Sequence, residues 1–176
     1  MTDIAGTVLT KRKSAADRRF FVALFLTGLL LADAFWFKPL LTIGVDPQKE
    51  RCLPDLHAAL MVHRAPREVR DGDLVFWKPQ GALSHFREQY IMKEVAGVPG
   101  DLVTVAGGKV MINGHTVVEG FPLARYYHKP ANAFDRSEII PAGKLFMIGT
   151  HPLSNDSRYW GYLDVTRVSG FAYRLF

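Results

Sequence analysis

The stretch Leu102–Val118, LVTVAGGKVMINGHTVV, holds three short β-prone runs parted by Gly107-Gly108 and Asn113-Gly114. Asn-Gly between two such runs marks a hairpin, because the favoured two-residue turn needs positive φ at both positions and these residues tolerate it. The same texture extends outward on both sides. Leu74–Trp77 follows Asp71-Gly72-Asp73, and Leu145–Ile148 and Val165–Tyr173 read as further strands. After the N-terminal region, Arg51–Val62 alone reads as a short helix. No repeat or low-complexity linker breaks the pattern. Residues 38–176 are therefore expected to form one mainly antiparallel β domain.

The N-terminal region differs. Phe20–Phe37 reads FFVALFLTGLLLADAFWF, close to the roughly 20 apolar residues that span a bilayer. Asp33 lies near one end, and Trp36 suits the interfacial aromatic belt. Lys11, Arg12, Lys13, Arg18 and Arg19 precede the run. By the positive-inside rule they hold residues 1–19 in the cytoplasm as a basic tail and send residues 38–176 across the membrane. The expected order is thus a basic tail over 1–19, a transmembrane signal anchor over 20–37 and an exported domain over 38–176. Two other readings stay open for the apolar run. Ala32-Asp33-Ala34 has the small-x-small form of a signal-peptide cleavage site, and a buried core helix is the third reading.

Composition narrows the function. The 176 residues carry a net charge of +5. The cations ahead of the apolar run account for that excess as a topology signal, and no basic stripe interleaved with aromatics points to nucleic acid. Cys52 is the single cysteine. It allows neither an internal disulfide nor a paired-cysteine zinc site. The six histidines lack ligand spacing. No metal and no cofactor are expected.

Three stretches carry chemistry: Arg51-Cys52-Leu53-Pro54, Tyr90–Asp101 (YIMKEVAGVPGD) and Gly149–Gly161 (GTHPLSNDSRYWG). In a strand Ile91, Lys93 and Val95 share one face. If that face is buried, desolvation disfavours the ammonium and leaves an amine fit to act as a general base. From spacing alone, a lysine reaching water from an edge strand is the better reading. In the third stretch Ser154, Asp156 and Arg158 would point the same way on a strand, with the hydroxyl able to orient an amine. The plain alternative is a polar surface loop with an exposed ion pair, worth under about 1 kcal/mol.

In this order the three stretches resemble the boxes of the type I signal peptidases. The likeness is nearest to the conjugative-transfer branch, which processes pilin precursors. An apolar run, a lysine and a Gly-x-Pro-Gly-Asp turn correspond to Lys93 through Asp101, and Ser154 to Gly161 match the Ser-x-Asp-Ser-Arg-Tyr-Trp-Gly box. The resemblance runs from the apolar segment to the last strand. It implies a signal-peptidase-like antiparallel β domain behind one N-terminal transmembrane helix. It also implies a single-pass protein of the bacterial inner membrane, with its C-terminal domain in the periplasm. Its partners would be the membrane and an exported precursor, a pilin precursor of a conjugation system, cleaved after a small residue. Some relatives in that branch cyclise the new end instead of releasing it with water.

The family's nucleophile is a serine in a Ser-x-Pro setting shortly after the anchor. Cys52-Leu53-Pro54 stands at that place, and no serine lies between Ser14 and Ser84. A thiol is the stronger intrinsic nucleophile, so the resemblance implies Cys52 as nucleophile, Lys93 as base, Ser154 orienting the amine, and Asp156 and Arg158 holding their segment. A buried structural cysteine in an inactive, membrane-tethered assembly factor is the alternative. A cysteine–histidine pair using His151 or His85 is a further rival. Two departures stand beside these. Lys49, Glu50 and Arg51 replace the hydroxyl that often completes the oxyanion hole, and Glu94 follows the lysine where better-known members have a basic residue.

Overall fold

A computed structural model of the chain describes residues 15–37, 40–46, 51–64, 68–80 and 89–176. It divides into two units at Pro39 and Leu40. In the first, α1 spans Ala15–Ala32 and a wider π-helical segment continues over Asp33–Phe37. The expected transmembrane helix over Phe20–Phe37 is not supported, because no helix among the described residues is long and apolar enough to cross a membrane. The α-helix begins five residues earlier than the apolar run, takes in Asp17, Arg18 and Arg19, and gives way at Ala32. Arg18 and Arg19 thus sit inside the helix, whereas residues 1–14 of the basic tail lie outside the described residues.

The second unit is built from antiparallel strands. They are β1 (Leu41–Val45), β2 (Ala58–Val62), β3 (Leu74–Trp77), β4 (Ile91–Gly97), β5 (Leu102–Ala106), β6 (Lys109–Ile112), β7 (His115–Glu119), β8 (Arg136–Ile139), β9 (Lys144–Ile148), β10 (Leu163–Asp164) and β11 (Val168–Arg174). Among the described residues, one sheet has the order β1-β2-β11-β3-β4-β9-β10 and the other β7-β6-β5-β8. The second sheet is an excursion between β4 and β9, which lie side by side in the first.

Two expectations change here. Ala58–Val62, inside the expected helix, is a strand, because β1 and β11 pair with it on either side; cross-strand pairing outweighs the helix preference of Ala, Leu and Met. Val165–Arg167 forms a 3₁₀ turn before β11 starts. The hairpin forms as expected, with Asn113 at φ 50° and Gly114 at φ 82°. It is tied to the Gly-x-Pro-Gly-Asp turn. Asp101 accepts from Val98 N at 2.8 Å and from Asn113 Nδ2 at 2.8 Å, while Asn113 Oδ1 accepts from Leu102 N at 2.9 Å. That turn swings the chain out of β4 into the second sheet.

The core follows from strand periodicity. In β3 every residue is buried. Leu74 and Phe76 pack with Leu53, Leu56, Ala59 and Met61, while Val75 and Trp77 pack on the opposite side with Val95, Leu145 and Met147. Under the second sheet Val103, Val105, Val110 and Ile112 pack with Phe121, Phe134 and Tyr159.

Candidate active site

Lys93 sits mid-way along β4, an interior strand, and is buried, so the edge-strand reading that spacing alone favoured does not hold. It is 1 % exposed, and Ile91 and Val95 on the same side pack into the core. Its Nζ donates to Ser154 Oγ at 2.9 Å, and Ser154 is wholly buried. Glu94 points the other way, to the surface, and pairs with Arg174 at 3.2 Å. The departure at Glu94 therefore does not enter the network around Asp156 and Arg158.

Ser154, Asp156 and Arg158 do not lie on a strand. They belong to a tight loop that enters α2 (Ser157–Trp160), with Asp156 as its N-cap. Short polar side chains bond readily to nearby main chain, which favours turns and caps over strands. Both charged residues are fully buried, so the exposed-pair alternative does not hold. Arg158 Nε meets Asp156 Oδ1 at 2.8 Å and Nη2 meets Oδ2 at 2.9 Å. Arg158 also donates to the carbonyls of Gly120 and Ser154, and Asp156 accepts from Gly149 N. The pair thus clamps β9's end, the Ser154 loop and the turn after β7 with complete hydrogen bonding, the condition under which buried charges persist.

Cys52 is half-buried on the turn ahead of β2. Its carbonyl accepts from His151 N at 3.1 Å, and His151's carbonyl accepts from Ser154 N at 2.9 Å. Gly149 makes this approach possible, because a Cβ there would press on Ser154 Oγ and stand 2.6 Å from the Cys52 carbonyl oxygen. The thiol-bearing turn and the lysine's partner are thus held by the same six-residue loop. Cys52, Lys93, Leu53, Met61, Ile43 and Asn155 are among the residues around one cavity of about 570 Å³. It lies along β1, whose outer edge is unpaired among the described strands.

His151 Nδ1 accepts from Leu153 N at 3.1 Å, which occupies the lone pair a general base would use there; His85 lies outside the described residues. Among the described residues, no group of three or more His, Cys, Asp or Glu is placed to hold a metal ion. Sequence reasoning passed over three residues that shape the site. Gly149 opens the third box and was readable there as a close-approach glycine. Ser157 Oγ accepts from Met147 N at 2.8 Å. Tyr127 donates to Asn155 Oδ1 at 2.7 Å, a pairing across sheets with no local signal.

Residues 15–176 match the family model described as "Signal peptidase, peptidase S26". The chain is similar to a signal peptidase I of Leptolyngbya laminosa, 32% identical over 108 residues, which are 58% of this chain and 50% of that protein. It is also similar to a signal peptidase I of Bacillus licheniformis, 32% identical over 155 residues, 80% of this chain and 77% of that one. The chain thus spans half the length of the first relative and most of the second. A solved signal peptidase I from Enterococcus faecalis V583 aligns with 60% of this chain and 97% of its own, at 22% identity and a TM-score of 0.38.

Proposed function

Because the chain belongs to the signal peptidase, peptidase S26 family, we propose that it is an endopeptidase that cuts exported precursors after a small residue, with Cys52 as nucleophile and Lys93 as general base. The observation that carries the reading is the buried Lys93–Ser154 hydrogen bond on the wall of the cavity that Cys52 also lines.

The Lys93 amine takes the Cys52 proton as sulfur adds to the scissile carbonyl carbon. The C–N bond then breaks, and the ammonium returns its proton to the leaving amine. A thioester remains on Cys52. Lys93 next takes a proton from water, which adds to the thioester and releases the acid and the thiol. Ser154 fixes the amine's direction by the bond it accepts. The Cys52 main-chain N–H serves the oxyanion. The substrate adds as a strand against the free edge of β1, its small side chains in the apolar cavity. A pilin precursor of a conjugation system fits this reading by the likeness of the boxes. Phe20–Phe37 tethers the chain to the membrane, which is supported by the exposure of Phe20, Leu24, Phe25 and Leu30 on α1.

The test compares precursor processing by the native protein with Cys52→Ala and Lys93→Ala, each checked for folding. Both variants are expected to lose processing, and iodoacetamide is expected to abolish that of the native protein. Full processing by either variant rules out the dyad. A folded native protein that processes nothing and ignores the alkylating reagent is the inactive assembly factor instead.

A further inference from the structure

Asn155 has no part in that mechanism, yet it stands beside it. It follows Ser154 directly, is half-buried and lines the same cavity as Cys52 and Lys93. Its Oδ1 accepts the Tyr127 hydroxyl at 2.7 Å. Tyr127 comes from the segment after β7 and is itself held in place. Its ring stacks on Tyr159 with centroids 5.3 Å apart and planes 6° from parallel, and Phe134 stands edge-on at 6.2 Å. Burial raises the Tyr127 phenol above the ordinary tyrosine value, so the hydroxyl keeps its proton and remains a donor at neutral pH. The hydroxyl thereby fixes the amide's orientation, and Nδ2 is the end of Asn155 that offers donors.

We propose that Asn155 binds the substrate main chain, its Nδ2 donating to a peptide carbonyl in the cavity, and that Tyr127 is the positioning residue that fixes the amide's orientation. This rests on reading the cavity as the peptide cleft. A carbonyl is the matching partner for that donor, since an amide covered by a bound peptide without an acceptor carries the full cost of desolvation. An extended peptide lying along β1 turns alternate main-chain groups away from that strand, toward the facing wall. The contact reads main chain, so it holds the peptide whatever its side chains.

The test uses a fluorescent peptide with an Ala-x-Ala segment and measures anisotropy on the full chain carrying Cys52→Ala, which binds without turnover. Adding Asn155→Ala or Asn155→Asp is expected to weaken binding about three- to tenfold, the range for one neutral hydrogen bond. The second variant keeps the acceptor for Tyr127, so its thermal midpoint should not move. Tyr127→Phe is expected to weaken binding less, and to add nothing on top of Asn155→Ala. Binding by either Asn155 variant equal to that of the parent overturns the proposal, as does an additive effect of Tyr127→Phe. Cleavage of the same peptide by the protein with native Cys52 is followed in parallel. Asn155-dependent binding without cleavage counts against the peptidase reading alone. Cleavage with Asn155-independent binding counts against the Asn155 assignment alone. No binding at all overturns both.

Discussion

At the scale of single residues, the site depends on close approach and on buried charge. Gly149→Ala would push a methyl against Ser154 Oγ and the Cys52 carbonyl, forcing apart the two sides of the proposed dyad. A displacement near 1 Å lowers turnover about 100-fold, so processing assays on Gly149→Ala should show that loss with the core strands intact. Asp156→Ala is a different case. It strands Arg158 in the interior with its carboxylate gone, and breaking such a pair costs about 3–5 kcal/mol. Urea titration of Asp156→Ala against the native chain should read that loss. Lys93 shows what a sequence reveals at this scale. Its alternation with Ile91 and Val95 named the face, but only the pairing of β4 with β3 and β9 on both sides decides that the face is covered. An edge strand with the same residues would have left the amine in water.

At the scale of elements, legibility followed locality. The Asn113-Gly114 hairpin was readable because its φ values are demanded by residues in contact along the chain. Gly114→Ala is expected to cost about 1–2 kcal/mol through left-handed strain. Asn113→Ala should cost at least as much, since it also removes the bonds to Leu102 and Asp101; thermal melts of the two variants check the order. β2 was not readable as a strand, because its state is imposed by β1 and by β11, more than a hundred positions away. β8, Arg136-Ser137-Glu138-Ile139, carries no apolar alternation and is a strand only through its ladder with β5. The polar Ser154–Asp156 run was read with a strand's geometry although its composition favours a turn. The strand expected to bear them is absent, since what fixes them is the N-cap of α2 and not a pleat.

At the scale of the whole molecule, the two sheets meet through a core that also buries polar groups. Tyr162 packs against it, partly buried, with Glu138 and Arg136 acting on its hydroxyl. Burial is the main reason its phenol is pushed up to about 12. The folded state therefore keeps the proton longer than the unfolded chain does. Its contribution to stability is whole below pH 10 or so, the ordinary tyrosine value, and is lost as pH rises toward the folded value. Tyr162→Phe should flatten that alkaline loss in pH-resolved denaturation. The strand order has a consequence for timing. Among the described strands, β1 and β2, which wall the cavity, reach the rest of their sheet only through β11, which follows them in the chain by more than a hundred residues. Synthesis proceeds at about 5–20 residues per second, so the emerging polypeptide carries its thiol for seconds before β11 arrives to complete the cleft. Under the proposed function, a half-made chain is therefore inert toward the precursors around it.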